Sequence, residues 1–182
     1  MLHSLAEKQI DRFVAQLAID GIASAAEISG CSEIELDALE SKYAVRLPRA
    51  YRHFLRRLGH SSGKLFTHDH LAVSITHVTR LTQMLHESAA ELAEEDDTQY
   101  GVELARVLPP GSLVIMGRLG EQFHAINCSS EEDAAVFHFD DSDFKTTPVT
   151  GSILEWMHIW RTEALEAIAS GYFELVPGGT QP

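Results

Sequence analysis

The chain of 182 residues lacks several features that would define its class at once. It has only two cysteines, Cys31 and Cys128, so two free thiols are expected rather than a disulfide framework. No apolar run approaches the length of a membrane span. The N-terminal residues lack the basic start and the apolar block of a secretion signal. We therefore expect a cytoplasmic protein that makes no membrane contact.

Basic residues are also scarce. The chain has 14 Lys and Arg against 27 Asp and Glu, and its net charge is −13. This balance argues against direct binding of nucleic acid, which requires a basic surface. It favours a basic protein partner that is attracted over a distance.

The charges are unevenly distributed along the chain. Residues 42–64 contain seven Lys or Arg and no acidic residue. Residues 87–97 contain six acidic residues, residues 121–143 contain seven, and neither run contains a Lys or Arg. A solvated face is the simplest interpretation of each run, and the sequence leaves open whether the basic run is a second interface or pairs internally with acidic residues.

Two consecutive helices are the best-defined local feature. A Ser-x-x-Glu capping box predicts a helix over residues 32–43. Pro48 suits the first position of a second helix over residues 48–58. Gly59 is expected to end that helix in the left-handed conformation. The apolar face of the second helix consists of Tyr51, Phe54, Leu55 and Leu58.

The rest of the chain alternates between helical and strand periodicity. Short turns such as residues 118–120 require neighbouring strands to be antiparallel. We predict an α+β fold, with an antiparallel sheet of about four to six strands and helices packed mainly on one face. The predicted helices cover residues 2–19, 77–95 and 153–170, and the predicted strands cover residues 71–76, 112–117, 121–127 and 134–139.

The expected organisation is one principal domain with two short flanks. Residues 1–29 form an N-terminal helical extension, residues 30–175 form the α+β domain, and residues 176–182 form a mobile tail. The tail is rich in proline and glycine, which disfavour regular structure.

Candidate catalytic groups are few. Cys31 precedes a predicted helix N-terminus, a position that can lower the pKa of a thiol, but no base accompanies it. The carboxylates of residues 131–133 and 140–143 could serve hydrolysis or a hydrated cation, although a solvated loop is the simpler interpretation. Trp156 and Trp160 are either ligand-binding or core residues, and core is the expectation. We predict no enzyme activity.

The histidines are the candidate ligands for a metal ion. His68 and His70 would share one face of a strand, with His60 upstream and His124 or His138 as more distant ligands. No established metal-binding spacing is present. We predict polar loop histidines, with no metal and no cofactor.

The two central helices carry a family resemblance. Glu40 lies ahead of Leu47-Pro48, and Tyr51-x-x-Phe54-Leu55 follows. This arrangement resembles the SUKH superfamily, the bacterial toxin-immunity proteins that also include the Smi/Knr fungal cell-wall regulators. The resemblance extends weakly through the predicted strands to about residue 160. It implies structural roles for the motif residues Glu40, Leu47, Pro48, Tyr51, Phe54 and Leu55.

The resemblance implies a non-enzymatic protein that neutralises a toxin. Many toxins paired with this superfamily are nucleases, whose basic surfaces an acidic protein could cover. The alternative is a scaffold or regulatory protein of the Smi/Knr type that binds a housekeeping partner. We predict the contact surface within residues 121–143, extended by residues 87–97, with Glu121, Asp133, Asp140, Asp141 and Asp143 as the contact residues.

Overall fold

The computed structural model describes residues 4–67, 71–94, 104, 106–140 and 145–175. Six helices are present in these ranges: α1 (Leu5–Ile19), α2 (Glu33–Tyr43), α3 (Arg49–Leu58), α4 (Ile75–Glu94), α5 (Ile153–Ala169) and α6 (Tyr172–Leu175). Seven strands accompany them: β1 (Ile28–Ser29), β2 (Ser61–Ser62), β3 (Leu71–Ala72), β4 (Ser112–Arg118), β5 (Gln122–Asn127), β6 (Val136–Asp140) and β7 (Thr147–Thr150).

The main sheet has the strand order β3-β4-β5-β6-β7, and every neighbouring pair is antiparallel. Strands β1 and β2 form a separate short pair. The β4–β5 hairpin turns through Leu119 and Gly120, which both have positive φ angles of 55° and 82°. Two successive positive φ angles are what a tight hairpin turn requires. The predicted α+β class is confirmed.

The two faces of the sheet are covered by different numbers of helices. On one face, Leu113, Ile126 and Val136 share a core with buried side chains of α1, α2, α3 and α5. On the other face, Phe123 and Phe139 pack with side chains of α4. The helices therefore lie mainly on one face, as predicted, and α4 covers the second together with Leu104, Val107 and Leu108.

Helix α1 belongs to the principal core. Its apolar stripe of Ile10, Phe13, Val14 and Leu17 is buried in the same cluster as α3 and α5. At its C-terminal end, Asp20 accepts a hydrogen bond of 2.6 Å from the Nε of Arg161 on α5. The division at residue 29 stays a prediction, and the predicted tail at residues 176–182 lies outside the described ranges.

The capping box of α2 forms as predicted. The Ser32 hydroxyl accepts from the backbone N–H of Glu35, and the Glu35 carboxylate accepts from the backbone N–H of Ser32 at 2.8 Å. The left-handed residue of this helix pair is Ala44, with a φ of 50°, and not Gly59. Ala44 ends α2 where the chain turns sharply toward α3.

The prediction for Gly59 was wrong in its physical reason. Its φ is −68°, in the right-handed region. A Cβ at this position would lie 2.3 Å from the Cys31 sulfur and 2.5 Å from the Leu55 carbonyl oxygen. Glycine is required here because two chain segments approach closely, and not because of the backbone angle.

Pro48 lies one position earlier than predicted, at the N-cap of α3, where it provides no side-chain cap. The β5–β6 loop provides the cap instead. The N–H groups of Arg49 and Ala50 donate to the carbonyl oxygens of Glu131 and Glu132, at 2.9 Å each. A distant loop thus satisfies donors that a helix N-terminus leaves free.

The predicted strand over residues 71–76 was too long. The strand ends at Ala72, and α4 begins at Ile75. Leu71, Val73 and Ile75 are all buried, so their alternation reflects burial on both sides of the strand-to-helix junction. Strand β7 was missed because it is short, polar and contains Pro148, features that suit an edge strand.

Candidate protein-interaction surfaces

The basic helix α3 is neutralised within the fold. Arg52 binds three carboxylates of α2, those of Asp37 at 2.7 Å, Glu33 at 2.8 Å and Glu40 at 2.9 Å. The hydrogen bond from Arg52 lowers the pKa of the Glu33 carboxyl below its ordinary value. Arg52 therefore offers little positive charge to an external partner.

The other arginines of α3 are paired in the same way. Arg56 contacts Glu33 at 3.3 Å and Glu7 at 3.5 Å. Arg57 is paired with Asp11 of α1, and Arg49 lies 3.1 Å from Glu132 in the β5–β6 loop. The alternative left open by the sequence is decided for α3: its four arginines pair within the chain, chiefly with carboxylates of α1 and α2 outside the two acidic runs.

Glu40 holds the connection between α2 and α3. Its carboxylate accepts from the backbone N–H of Leu47 at 2.8 Å and from Arg52 at 2.9 Å. Leu47 is buried beside it, and the remaining apolar motif side chains of α3, Tyr51, Phe54 and Leu55, lie in the principal core. The contacts of this motif are therefore made inside the molecule.

The strand register divides the predicted acidic surface between two ends of the sheet. Glu121 is exposed in the β4–β5 turn, and Asp140 lies at the same end because it is in register with Gln122. Asp133 lies beyond the other end of β5, about 20 Å away for a six-residue strand. These residues cannot form the single compact surface that their sequence proximity suggested.

Asp133 also has a role in the fold. Its Oδ1 accepts from the backbone N–H groups of Ala134 at 2.8 Å and Ile153 at 3.0 Å, the latter at the start of α5. This carboxylate joins the β5–β6 loop to the helix N-terminus. Of the other predicted contact residues, Asp141 and Asp143 lie outside the described part of the chain.

The acidic run of residues 87–97 begins on α4, at the end of the sheet away from Glu121. His86 donates from Nε2 to the carbonyl oxygen of Ser112, which is in register with Asn127 at the β5–β6 end of the sheet. Glu87 and Glu91 follow within five residues on the same helix. The structure therefore places these carboxylates toward the end that carries Glu131, and not toward the hairpin tip.

Helix α4 is positioned by the backbone of β4. The Thr82 hydroxyl accepts from the buried N–H of Val114 at 3.0 Å, where the β4–β5 register shifts. Gly117 lets the helix approach, since a Cβ there would lie 2.9 Å from the Leu81 Cδ1. These contacts hold α4 on the sheet. A groove lies between α4 and α2.

The groove has a volume of about 780 Å³ and was not predicted from the sequence. Leu39 and Ile75 lie on its floor as buried apolar residues, and Met84 lines it with 43% of its surface exposed. The only sequence signal was an apolar residue, Met84, outside the apolar stripe of its helix. The groove is also lined by Glu35, Ala38, Lys42, Thr76, Thr79, Arg80, Gln83, Glu87, Ser88 and Glu91.

Trp156 and His124, which the sequence offered as candidates for ligand and metal binding, lie in the core. Trp156 is fully buried, stacks on Phe66 with ring centroids 5.2 Å apart, and donates to the Nδ1 of His124 at 3.0 Å. Burial, with a smaller contribution from His138, lowers the pKa of His124 to about 4. His124 is therefore neutral near pH 7 and accepts from the indole, and Trp156 is a core residue.

Neither cysteine is an activated nucleophile. Burial is the main reason that the pKa of both Cys31 and Cys128 is raised to about 12, so the thiolate fraction near pH 7 is negligible. His68 and His70 lie outside the described ranges. Within those ranges, no group of three His, Cys, Asp or Glu side chains is arranged to hold a metal ion.

The fold and its surfaces define an α+β protein with a groove between α2 and α4. The profile of the SMI1/KNR4 family (SUKH-1) matches residues 30–158, more than half of the chain, so the chain belongs to this family. The match begins just before α2 and ends within α5, and it leaves α1 outside. No curated protein matches the chain. None of the described helices has the length and apolar character needed to cross a membrane.

Proposed function

We propose that this chain is a cytoplasmic immunity protein that binds a cognate toxin and neutralises it without enzymatic activity. The toxin is a basic protein domain, most consistent with a nuclease, whose phosphate-binding surface the acidic chain covers. Membership of the SMI1/KNR4 family supports a role in protein binding. The identity of the toxin class rests on charge complementarity.

One structural observation carries the proposal. The four arginines of α3 are each paired with carboxylates of the same chain, so much of the basic run is neutralised internally in a protein whose net charge is −13. Carboxylates such as Glu121 and Glu131 remain exposed. A surface of this kind accelerates encounter with a basic protein and repels nucleic acid.

The proposed contact falls into two groups that can be tested separately. The hairpin group contains Glu121 and Asp140, together with Asp141 and Asp143 from the adjacent sequence. The opposite group contains Glu87, Glu91 and Glu131. Asp133 belongs to neither set of variants, because its substitution would disturb the start of α5.

The test measures association of the full chain with the toxin domain encoded beside it. Each group is converted to the corresponding amides, and Glu163→Gln with Glu166→Gln on α5 is the control for loss of carboxylates elsewhere on the surface. We expect at least one group to slow association by roughly tenfold and to reduce its salt dependence, with the control unchanged. Full inhibition of the toxin by a variant neutralised in both groups would overturn the proposal.

The second candidate is an intracellular regulatory scaffold of the Smi/Knr type. The observation that favours it is the matching profile itself, which is that of the SMI1/KNR4 family. A pull-down with the full chain at low and moderate salt discriminates between the two. Recovery of one basic toxin domain, lost as salt rises, supports immunity, whereas recovery of housekeeping proteins alone supports the scaffold.

A further inference from the structure

The groove between α2 and α4 exposes apolar surface that the isolated chain does not use. Ile34 is 81% exposed, one helical turn before Ala38 on the rim of the groove. Met84 lies on the α4 side, and Leu39 and Ile75 form the floor between the two helices. Exposed apolar side chains with polar neighbours, here Ile34 and Met84, are typical of a protein-interaction site.

Two hydrogen bonds link the helices that form the walls of this groove and fix their spacing. The Tyr43 hydroxyl on α2 donates to the carbonyl oxygen of Thr79 on α4 at 2.5 Å. Lys42 reaches across from α2 and donates to the Gln83 side chain at 2.7 Å. The groove therefore exists before a partner arrives, which reduces the entropic cost of binding.

The C-terminal half of the groove is acidic. Glu87 and Glu91 are one helical turn apart on α4, and among the described residues neither is bound to a Lys or Arg. Gln83 donates to Glu87 at 2.7 Å, so this carboxylate is held toward the groove. The lining also contains two cations: Lys42, whose ammonium donates to the Gln83 side chain, and Arg80, about two turns from Glu87.

We infer that the α2–α4 groove binds a basic amphipathic helix of the partner protein. Its apolar side chains lie between Leu39, Ile75 and Met84, and its Lys or Arg side chains bind Glu87 and Glu91. This inference rests on the proposed function, because it assumes a basic protein partner. It adds the location of the contact and the chemistry of the segment that fills it.

The dimensions fit such a segment. The α4 side of the groove runs from Thr76 to Glu91, about 22 Å at the rise of an α-helix. This length accommodates about four helical turns with apolar anchors at i, i+3 or i+4, and i+7. A second copy of this chain is a poor occupant, because its arginine-rich helix α3 is buried and already paired.

The test uses a designed helical peptide of about 18 residues, with Leu on one face and Lys on the other, titrated into the isotope-labelled full chain. Amide shifts in the NMR spectrum report the site. We expect the shifts to concentrate on α2 and α4, around Ala38, Leu39, Gln83 and Met84. Matched peptides with Glu in place of Lys, or with Ser in place of Leu, are expected to produce no such shifts.

Charge variants separate groove binding from general attraction to an acidic protein. Glu87→Lys with Glu91→Lys is expected to weaken peptide binding by roughly tenfold or more, whereas Glu163→Lys with Glu166→Lys on α5 carries the same charge change and is expected to leave binding nearly unchanged. Met84→Gln removes apolar surface without changing the charge of the groove and is also expected to weaken peptide binding.

Equal weakening by both charge pairs, or shifts centred on other elements, would overturn the groove assignment. A concentration-dependent dimer that covers the groove and abolishes the shifts would also overturn it. Because no toxin enters this experiment, its failure leaves the immunity proposal standing. Conversely, peptide binding in the groove by a chain that neutralises no toxin would reject only the proposed function.

Discussion

Helices α3 and α4 carry charge of opposite sign and present it in opposite ways. Three arginines of α3 lie against carboxylates of α1 and α2, with Arg52 alone contacting three of these carboxylates, and Arg49 pairs with Glu132 in the β5–β6 loop. The carboxylates Glu87 and Glu91 of α4 line an open groove. A charged run in a sequence therefore indicates a surface only when the neighbouring elements leave it unpaired.

The difference follows from what each helix packs against. Helix α3 is buried on its apolar face and flanked by two helices with acidic outer residues. Helix α4 packs on β4 and contacts α2 through few polar bonds, so one side of it remains open. The first arrangement stabilises the fold, and the second is available for binding.

The largest effect is expected from truncating the buried face of α3. Phe54→Ala removes a fully buried ring that lies 5.7 Å from Trp156, and it should cost about 3–5 kcal/mol of unfolding free energy. Met84→Ala on the open side of α4 should cost less than about 1 kcal/mol. Urea unfolding of both variants measures the comparison, and similar losses would contradict it.

The next largest effect is expected from acid, which should lower the free energy of unfolding through His124 on the sheet face that packs against α3 and α5. Above the ordinary histidine pKa of 6.5, His124 is neutral in both the folded and unfolded states. Between pH 6.5 and about 4, the unfolded chain binds a proton that the folded chain does not, so stability falls as pH falls, by up to about 3 kcal/mol.

Unfolding free energies of the natural chain and of His124→Gln across this pH range provide the test. Glutamine retains an acceptor for the Trp156 indole but does not titrate, so the pH dependence should become shallower. An unchanged slope between pH 6.5 and 4 would show that His124 is not responsible. His158→Gln on α5 is a comparison variant that should change the slope less, because partial burial also lowers the pKa of His158, but not by as much as that of His124.

A smaller effect is expected at the motif glutamate. Glu40→Ala leaves the Leu47 N–H without its acceptor and removes one partner of Arg52, which should cost about 1–3 kcal/mol. Glu91→Ala on α4 removes an exposed carboxylate and should change stability by less than about 0.5 kcal/mol. Thermal or urea unfolding distinguishes the two, and equal effects would contradict an internal role for Glu40.

The smallest effect is expected for an exposed pair of α3. The side chains of Arg49 and Glu132 are each 60% exposed, so their ion pair should contribute less than about 1 kcal/mol. Arg49→Ala should therefore be nearly neutral, and added salt should reduce the difference further. A loss as large as that of Glu40→Ala would mean that the β5–β6 loop depends on this pair.

Local patterns predicted most of the elements because their causes are local. The Ser32 cap, the helical spacing of α3 and the hairpin at residues 118–120 all depend on neighbours within a few residues. Errors arose where distant segments intervene. The buried residues Leu71, Val73 and Ile75 span the junction between β3 and α4, and their spacing imitated strand alternation. The close approach of Cys31 requires glycine at position 59.

The candidate surfaces were less predictable than the fold. Composition indicated an acidic protein and the helix pair indicated its family, since both are properties of the chain itself. Their arrangement is a property of register and packing. Antiparallel pairing sends Glu121 and Asp133 to opposite ends of the sheet, although they are twelve residues apart in sequence.

By itself, the sequence determined the helix periodicity, the Ser32 capping box, the strand-rich second half and the net charge, because each depends on residue identity and short-range spacing. Only the tertiary structure decided which charges are neutralised, which are exposed and where the groove lies. Those properties depend on distances between segments far apart in the chain, which packing and strand register set together.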